Sequence, residues 1–404
     1  MNLVHILPRY ALAAMVLLVV LPYTLMPNWS MRVYISSSGI ATMFQIGGLL
    51  AFLVLASPLL AKAIQLNRSN VIILGGVYFL LAFLTAPLGI KPQSSAIYTV
   101  LMVIFILMSM AVVREADFSK SLALSNRVVM FVVLGIMIVF PYNGSTFGGI
   151  QPNIFSKSCL TIFCLSYADP NRFFRISSKV VSILAVIFVT SRSAGIAMII
   201  IFLATYVIRI ARRNSTGITY ATSLWLCGIA LILFGLFYGI YPNAAETFFY
   251  NATDKNIQGR FDAWEASIYG IQQSPIIGHG FRSRDGYEHE LWEYSRLEAV
   301  NAHNGYINSI LDMGILGTAI VLFLWVSEMF KNFKALADRN LPDSTRRVLM
   351  CFTTVMVASL FTWLSEPLTF NFGNPWSILL VLAIFTSSEI RIRGQKLKLS
   401  ASHF

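Results

Sequence analysis

Along this chain the apolar residues mostly run in continuous blocks, separated by short polar stretches. A helix that crosses a bilayer needs about 20 largely apolar residues, with a range of roughly 17–25. Blocks of that kind predict spans over Tyr10–Met26, Ile40–Ala61, Val71–Pro87, Ala96–Val113, Tyr220–Tyr241, Gly305–Phe330, Leu349–Ser365 and Pro375–Ser387. Shorter blocks at Val128–Tyr142, Ile154–Ala168, Ile176–Thr190 and Ala194–Ile208 predict further spans in the middle of the chain. The first block follows Arg9 as a signal peptide would, but Thr24-Leu25-Met26-Pro27-Asn28 lacks a small-x-small cleavage site, so it reads as a span. The pattern predicts an all-α polytopic membrane protein with about 12 transmembrane helices and both termini on one side.

One connection differs from the rest. The segment 242–304 is polar and holds half of the 18 acidic residues. Within it Phe261, Trp264, Ile268 and Ile271 recur at helical spacing until Ser274-Pro275 stops the pattern. Tyr287, Leu291, Tyr294 and Leu297 repeat the same character. Both stretches read as amphipathic helices whose aromatic side chains suit the headgroup region. The chain therefore divides into transmembrane helices over 1–241, a helical loop domain on the outer side over 242–304, and over 305–404 the last transmembrane helices with a cytoplasmic tail.

Composition supports the bilayer as solvent. Of the 404 residues 56% are apolar and 12% charged, where a soluble domain carries about 25% charge. A soluble enzyme, a disordered tail and a disulfide-stapled secreted domain are excluded. The net charge of +12 does not indicate nucleic acid, because the cations punctuate apolar blocks instead of forming a basic face. Placing the N-terminus in the cytoplasm puts most of the 30 Lys and Arg residues inside. Fusing 176–208 into one helix would move the cluster from Arg209 to Arg213 outside and invert every later loop. Cys159, Cys164, Cys227 and Cys351 all sit in apolar stretches and read as small buried hydrophobes. No metal-ligand spacing, P-loop or dinucleotide fingerprint occurs.

A charge set against hydrocarbon is expensive, so the exceptions are candidates for function. Arg192, in Thr190-Ser191-Arg192-Ser193-Ala194-Gly195, lies at an outer turn between two spans. It either snorkels to the headgroups or acts as a fixed cation for a phosphate, which a guanidinium grips in bidentate fashion. Arg260 opens the first loop helix, where free N–H groups already favour an anion; the alternative is a solvated charge paired with Asp262 or Glu265. His303 falls where the outer loop re-enters the membrane, and its proton can move near neutral pH. Beneath it Asn304, Asn308 and Asp312 share one helix face. Weaker candidates are Lys157, near the outer end of its span, as a further phosphate contact, and Glu366 in Ser365-Glu366-Pro367, as a general base or a helix-end charge. His279 sits in a turn whose flanking glycines read as turn-formers.

Three blocks resemble the signatures of the O-antigen ligase/polymerase superfamily: Thr190 to Gly195; Gly259-Arg260-Phe261-Asp262-Ala263-Trp264 running to Ser274-Pro275-Ile276-Ile277-Gly278-His279-Gly280-Phe281; and Ala302-His303-Asn304-Gly305-Tyr306 running to Gly314-Ile315-Leu316-Gly317. The resemblance implies a GT-C type membrane glycosyltransferase. Such an enzyme takes a glycan from undecaprenyl diphosphate at the periplasmic face of the bacterial cytoplasmic (inner) membrane and passes it to a sugar hydroxyl, with inversion and without metal or cofactor. Carried across, Arg192 and Arg260 match the diphosphate-binding arginines and His303 the base; Asn301 stands where the family motif often has another residue. The implied partners are the lipid-linked donor, a glycan or lipid A-core acceptor, the bilayer, and as a candidate a chain-length regulator. The His303-Asn304-Gly305-Tyr306 form and the compact outer domain look more like a polymerase than a ligase. A secondary transporter is the rival from another class, yet those place charges near the midplane and repeat their halves, whereas here only Asp312 lies deep.

Overall fold

The computed structural model describes residues 3–25, 43, 46–59, 70–89, 92–115, 118–140, 152–189, 191–214, 257–281, 304–364 and 374–401. The long elements among them are all helices. They are α1 (Leu3–Leu25), α2 (Ile46–Leu59), α3 (Asn70–Thr85), α4 (Pro92–Glu115), α5 (Phe118–Val139) and α6 (Pro152–Leu165). Then follow α7 (Arg172–Val189), α8 (Arg192–Asn214), α9 (Ile257–Gln273), α10 (Gly305–Ala337), α11 (Asp343–Thr362) and α12 (Pro375–Ala401). Every predicted span falls on one of these except Tyr220–Tyr241, which lies outside the described residues, as does the second amphipathic stretch, Tyr287 to Leu297. By length and composition 6 of the helices can cross a membrane.

Local chemistry explains several of the boundaries. Pro92, Pro152 and Pro375 open α4, α6 and α12, at the position where a missing N–H costs nothing and a fixed φ helps. Asn304 caps α10, its side-chain oxygen accepting from the N–H groups of Tyr306 and Ile307. Helix α12 is apolar on all sides over its first turns, and it is the hub: it packs against α1, α3, α4, α6, α10 and α11. Outer helices instead show apolar side chains to the surroundings, among them Leu80, Phe83 and Leu84 of α3 and Ile187 of α7. In a bilayer such faces are solvated by lipid.

Ion pairs gather at one end of the bundle, the end predicted to be cytoplasmic. The guanidinium of Arg114, in the last turn of α4, donates to both carboxylate oxygens of Glu389 on α12, at 2.7 and 2.8 Å. Arg127 of α5 does the same to Asp169, at 3.1 Å twice. Arg391 of α12 donates to Glu328 and Asn332 of α10, and Arg339 donates to the carbonyl of Arg212 at the end of α8. Because Glu389 is only 3% exposed, replacing it with alanine leaves the Arg114 cation without its carboxylate partner. Glu389→Ala is expected to destabilise the fold by about 3 kcal/mol or more, whereas the double change Arg114→Leu with Glu389→Leu regains most of that loss. Thermal unfolding of the purified protein in detergent checks both.

Candidate functional site

The site begins with a break in a helix. Sequence reading expects Gly305–Phe330 as one continuous span; in the structure α10 is interrupted at Gly314, with φ 64° and ψ −177°. That conformation is open essentially only to glycine. A break at this depth frees backbone groups that cannot be left bare in hydrocarbon. The segment Pro275–Phe281, which follows α9, satisfies them. His279 and Gly280 donate their N–H groups to the carbonyls of Leu311 and Asp312, at 3.0 and 2.9 Å, while Ile315 and Leu316 donate to Pro275 and Ile276, at 2.8 and 3.1 Å. The strap thus exchanges four backbone hydrogen bonds with the broken helix.

Several residues allow that close approach. Gly278 and Gly280 hold φ of 69° and 102°, so the reading of both as turn-formers stands. A Cβ on Gly278 would come within 2.6 Å of the Asp312 carbonyl, and one on Gly89 within 2.5 Å of the His279 carbonyl. The strap is therefore clasped between α10 and the end of α3. Ser274 closes its turn, its hydroxyl donating to the Gly278 carbonyl at 2.8 Å, and His279 Nε2 lies 2.8 Å from the carbonyl of Gly270 on α9. Phe281 is buried edge-on to Tyr78, with ring centroids 6.4 Å apart.

Helix α9 stops where the sequence pattern puts it but starts at Ile257, three residues before Arg260, and the buried face differs. Ala263, Ala266, Ser267 and Gly270 are buried, at i, i+3, i+4 and i+7, and α9 packs on α10. Trp264 is half-buried, and Ile268 faces out at 48% exposure. Small side chains let two helix backbones draw together, while the large apolar ones are left for the interface with lipid.

The start of α10 is pinned to the end of α11. Gly305 donates its N–H to the carbonyl of Trp363, Asn304 Nδ2 donates to the carbonyl of Leu364 at 3.3 Å, and the Tyr306 hydroxyl donates to the carbonyl of Leu360 at 2.7 Å. The Tyr306 and Trp363 rings stand edge-to-face at 5.3 Å. Of the polar stripe, Asn304, Asn308 and Asp312 are all buried. Asn304 is consumed as cap and tether; Asn308 Nδ2 has no hydrogen-bond partner among the described residues. Asp312 sits two residues before the break, and its carboxylate is within electrostatic reach of the Tyr78 phenol on α3.

The remaining candidates are placed only in part. Arg192 is the first residue of α8 and Arg260 lies in the first turn of α9; the described atoms do not extend to either side chain. Lys157 is half-buried in the second turn of α6. His303 and Glu366 lie outside the described residues, the first adjoining Asn304 and the second two positions beyond Leu364. Ser191, just ahead of α8, is buried, and its hydroxyl has no hydrogen-bond partner among the described residues. Among those residues no group of His, Cys, Asp and Glu could hold a metal ion. Tyr78 escaped the sequence reading, since a tyrosine in an apolar block carries no local signal of a distant acid within electrostatic reach.

Comparison with known proteins fits this segment. Residues 178–322 match a family model described as O-antigen ligase. An uncharacterized protein of Haemophilus influenzae is 26% identical over 143 residues, which is 33% of this chain and 35% of that relative. The matched segment 178–322 runs from α7 past the start of α8, through α9 and the strap, and beyond the break in α10; over that stretch this multi-helix chain is similar to the O-antigen ligase family.

Proposed function

We propose that this protein is an inverting, metal-independent glycosyltransferase of the bacterial cytoplasmic membrane. It takes a glycan from undecaprenyl diphosphate at the periplasmic face and joins it to a sugar hydroxyl, polymerising O-antigen or exopolysaccharide repeat units. The observation that carries this reading is the O-antigen ligase match over 178–322, the stretch that holds Arg192, Arg260, His303 and Asp312.

In this reaction the acceptor oxygen attacks the anomeric carbon as the bond from that carbon to the diphosphate oxygen breaks on the opposite face. Arg192 and Arg260 neutralise the charge that builds on the departing diphosphate, with Lys157 as a further contact. Each arginine lies at a helix start, where unpaired N–H groups reinforce the preference for an anion. The Ser191 hydroxyl adds a donor beside the first of them. His303 takes the acceptor proton. Asp312 and Glu366 support it; the hydrogen bond from Asn304 to Leu364 ties the residue that follows His303 to one two positions before Glu366.

The description of the matching family favours a second reading, ligation of finished glycan to lipid A-core. Purified protein given a defined undecaprenyl diphosphate oligosaccharide separates the two. A ladder of lengthened glycans on gels is the expected result. A single transfer that requires lipid A-core establishes the ligase instead, and no glycan turnover with either acceptor removes the transferase reading. Uptake into proteoliposomes without turnover would point to a transporter.

A further inference from the structure

The end of the bundle away from the strap holds a second polar site, and it opens onto an apolar groove. The polar cavity, about 220 Å³, is lined by Glu328 and Lys331 of α10, by Ser388, Arg391 and Gln395 of α12, and by Val71 at the start of α3. The groove, about 440 Å³, runs between α3 and α4 over Phe385 of α12 and shares Val71 as a wall. Along α12 Phe385, Ser388, Ile392 and Gln395 fall at i, i+3, i+7 and i+10, one continuous stripe joining the two spaces.

We propose that the two spaces together form a site for one phospholipid with an anionic headgroup, its phosphate at Lys331, Arg391 and Ser388 and one acyl chain along the groove. Two cations face a single carboxylate, so the cavity keeps a surplus positive charge. Lys331 Nζ meets Glu328 at 2.8 Å while its side chain stays 45% exposed, leaving ammonium donors for a phosphate. Ser388 is only 7% exposed, and its hydroxyl has no hydrogen-bond partner among the described residues. From Val71 to Phe83 the groove covers 12 helical steps, about 18 Å at 1.5 Å each, slightly more than half of a hydrocarbon core of about 30 Å. That is the reach of one acyl chain from one leaflet. Gly76 widens the groove, since a Cβ there would meet nothing within 4 Å. The charged end lies with the ion pairs of Arg114 and Arg391, opposite the strap, so a polyprenyl diphosphate bound beside the strap would have its own headgroup at the wrong end.

Native mass spectrometry of the full chain, with dioleoyl-phosphatidylglycerol or dioleoyl-phosphatidylcholine added, tests this site independently of glycan transfer. Phosphatidylglycerol is expected to be retained about fivefold better than phosphatidylcholine, and Lys331→Gln to erase that preference, the worth of one lysine beside an anionic lipid. Gly76→Leu, a good helix former projecting into open space, is expected to cut retention of both lipids. Equal retention of the two lipids by the native chain, or phosphatidylglycerol binding unchanged in both variants, overturns the proposal. Displacement of the lipid by inorganic phosphate also overturns it and assigns a free-anion site. Undecaprenyl phosphate binding that falls with Gly76→Leu but not with Lys331→Gln gives the groove to a prenyl chain and overturns it too.

Discussion

Gly314→Ala is expected to be among the most destabilising single changes in the chain. An alanine there would have to hold its backbone at φ 64° with ψ −177°, at about 1–3 kcal/mol of strain, and its Cβ would overlap the carbonyl of Ile276. Relieving the overlap means moving the strap, which puts four backbone hydrogen bonds at risk, each worth about 1 kcal/mol net. With about two of those four bonds lost, the total comes to about 4 kcal/mol, large for one substitution. It would show as an early loss of monodisperse protein on heating, and as new protease cleavage in Pro275–Phe281. Gly135→Ala is the control: a Cβ there meets nothing within 4 Å, so the change should be neutral or stabilising by up to about 1 kcal/mol. An unchanged heat midpoint for Gly314→Ala would show that the strap does not depend on the break.

His303→Ala is expected to lower glycan turnover by about 10²–10⁴-fold, the usual contribution of a positioned general base. The variant should keep its heat stability, because the start of α10 is held by Asn304, Gly305 and Tyr306 through bonds that do not involve position 303. The pH profile separates a base from a structural residue. A base must be unprotonated, so activity of the native chain falls as pH drops, and that limb is expected to disappear in the variant. Full activity in His303→Ala would remove the residue from the mechanism and shift the base role toward Glu366 or Asp312.

How far the chain announces this arrangement differs from element to element. The helix ends at Pro92, Pro152, Asn304 and Pro375 follow local capping and proline chemistry, although apolar length alone starts the first two spans at Ala96 and Ile154. The stop at Ser274-Pro275 is readable for the same reason, and so is the buried polar face of α10, since residues four apart lie one above the other. The face α9 buries is not readable. A hydrophobic pattern marks which side chains avoid water, and next to a membrane both lipid and protein offer that escape. The small residues Ala263, Ala266, Ser267 and Gly270 took the protein side.

The sequence by itself determined a multi-helix membrane chain, the position of its polar loop and the ordered blocks around Arg192, Arg260 and His303, because apolar length, charge and short motifs are local properties. Only the tertiary structure decided that α10 breaks at Gly314, that Pro275–Phe281 repairs the break, and that the Asp312 carboxylate comes within electrostatic reach of Tyr78. A glycine in an apolar block can continue a helix or end it. The outcome depends on whether a distant segment supplies the hydrogen-bond partners that hydrocarbon cannot.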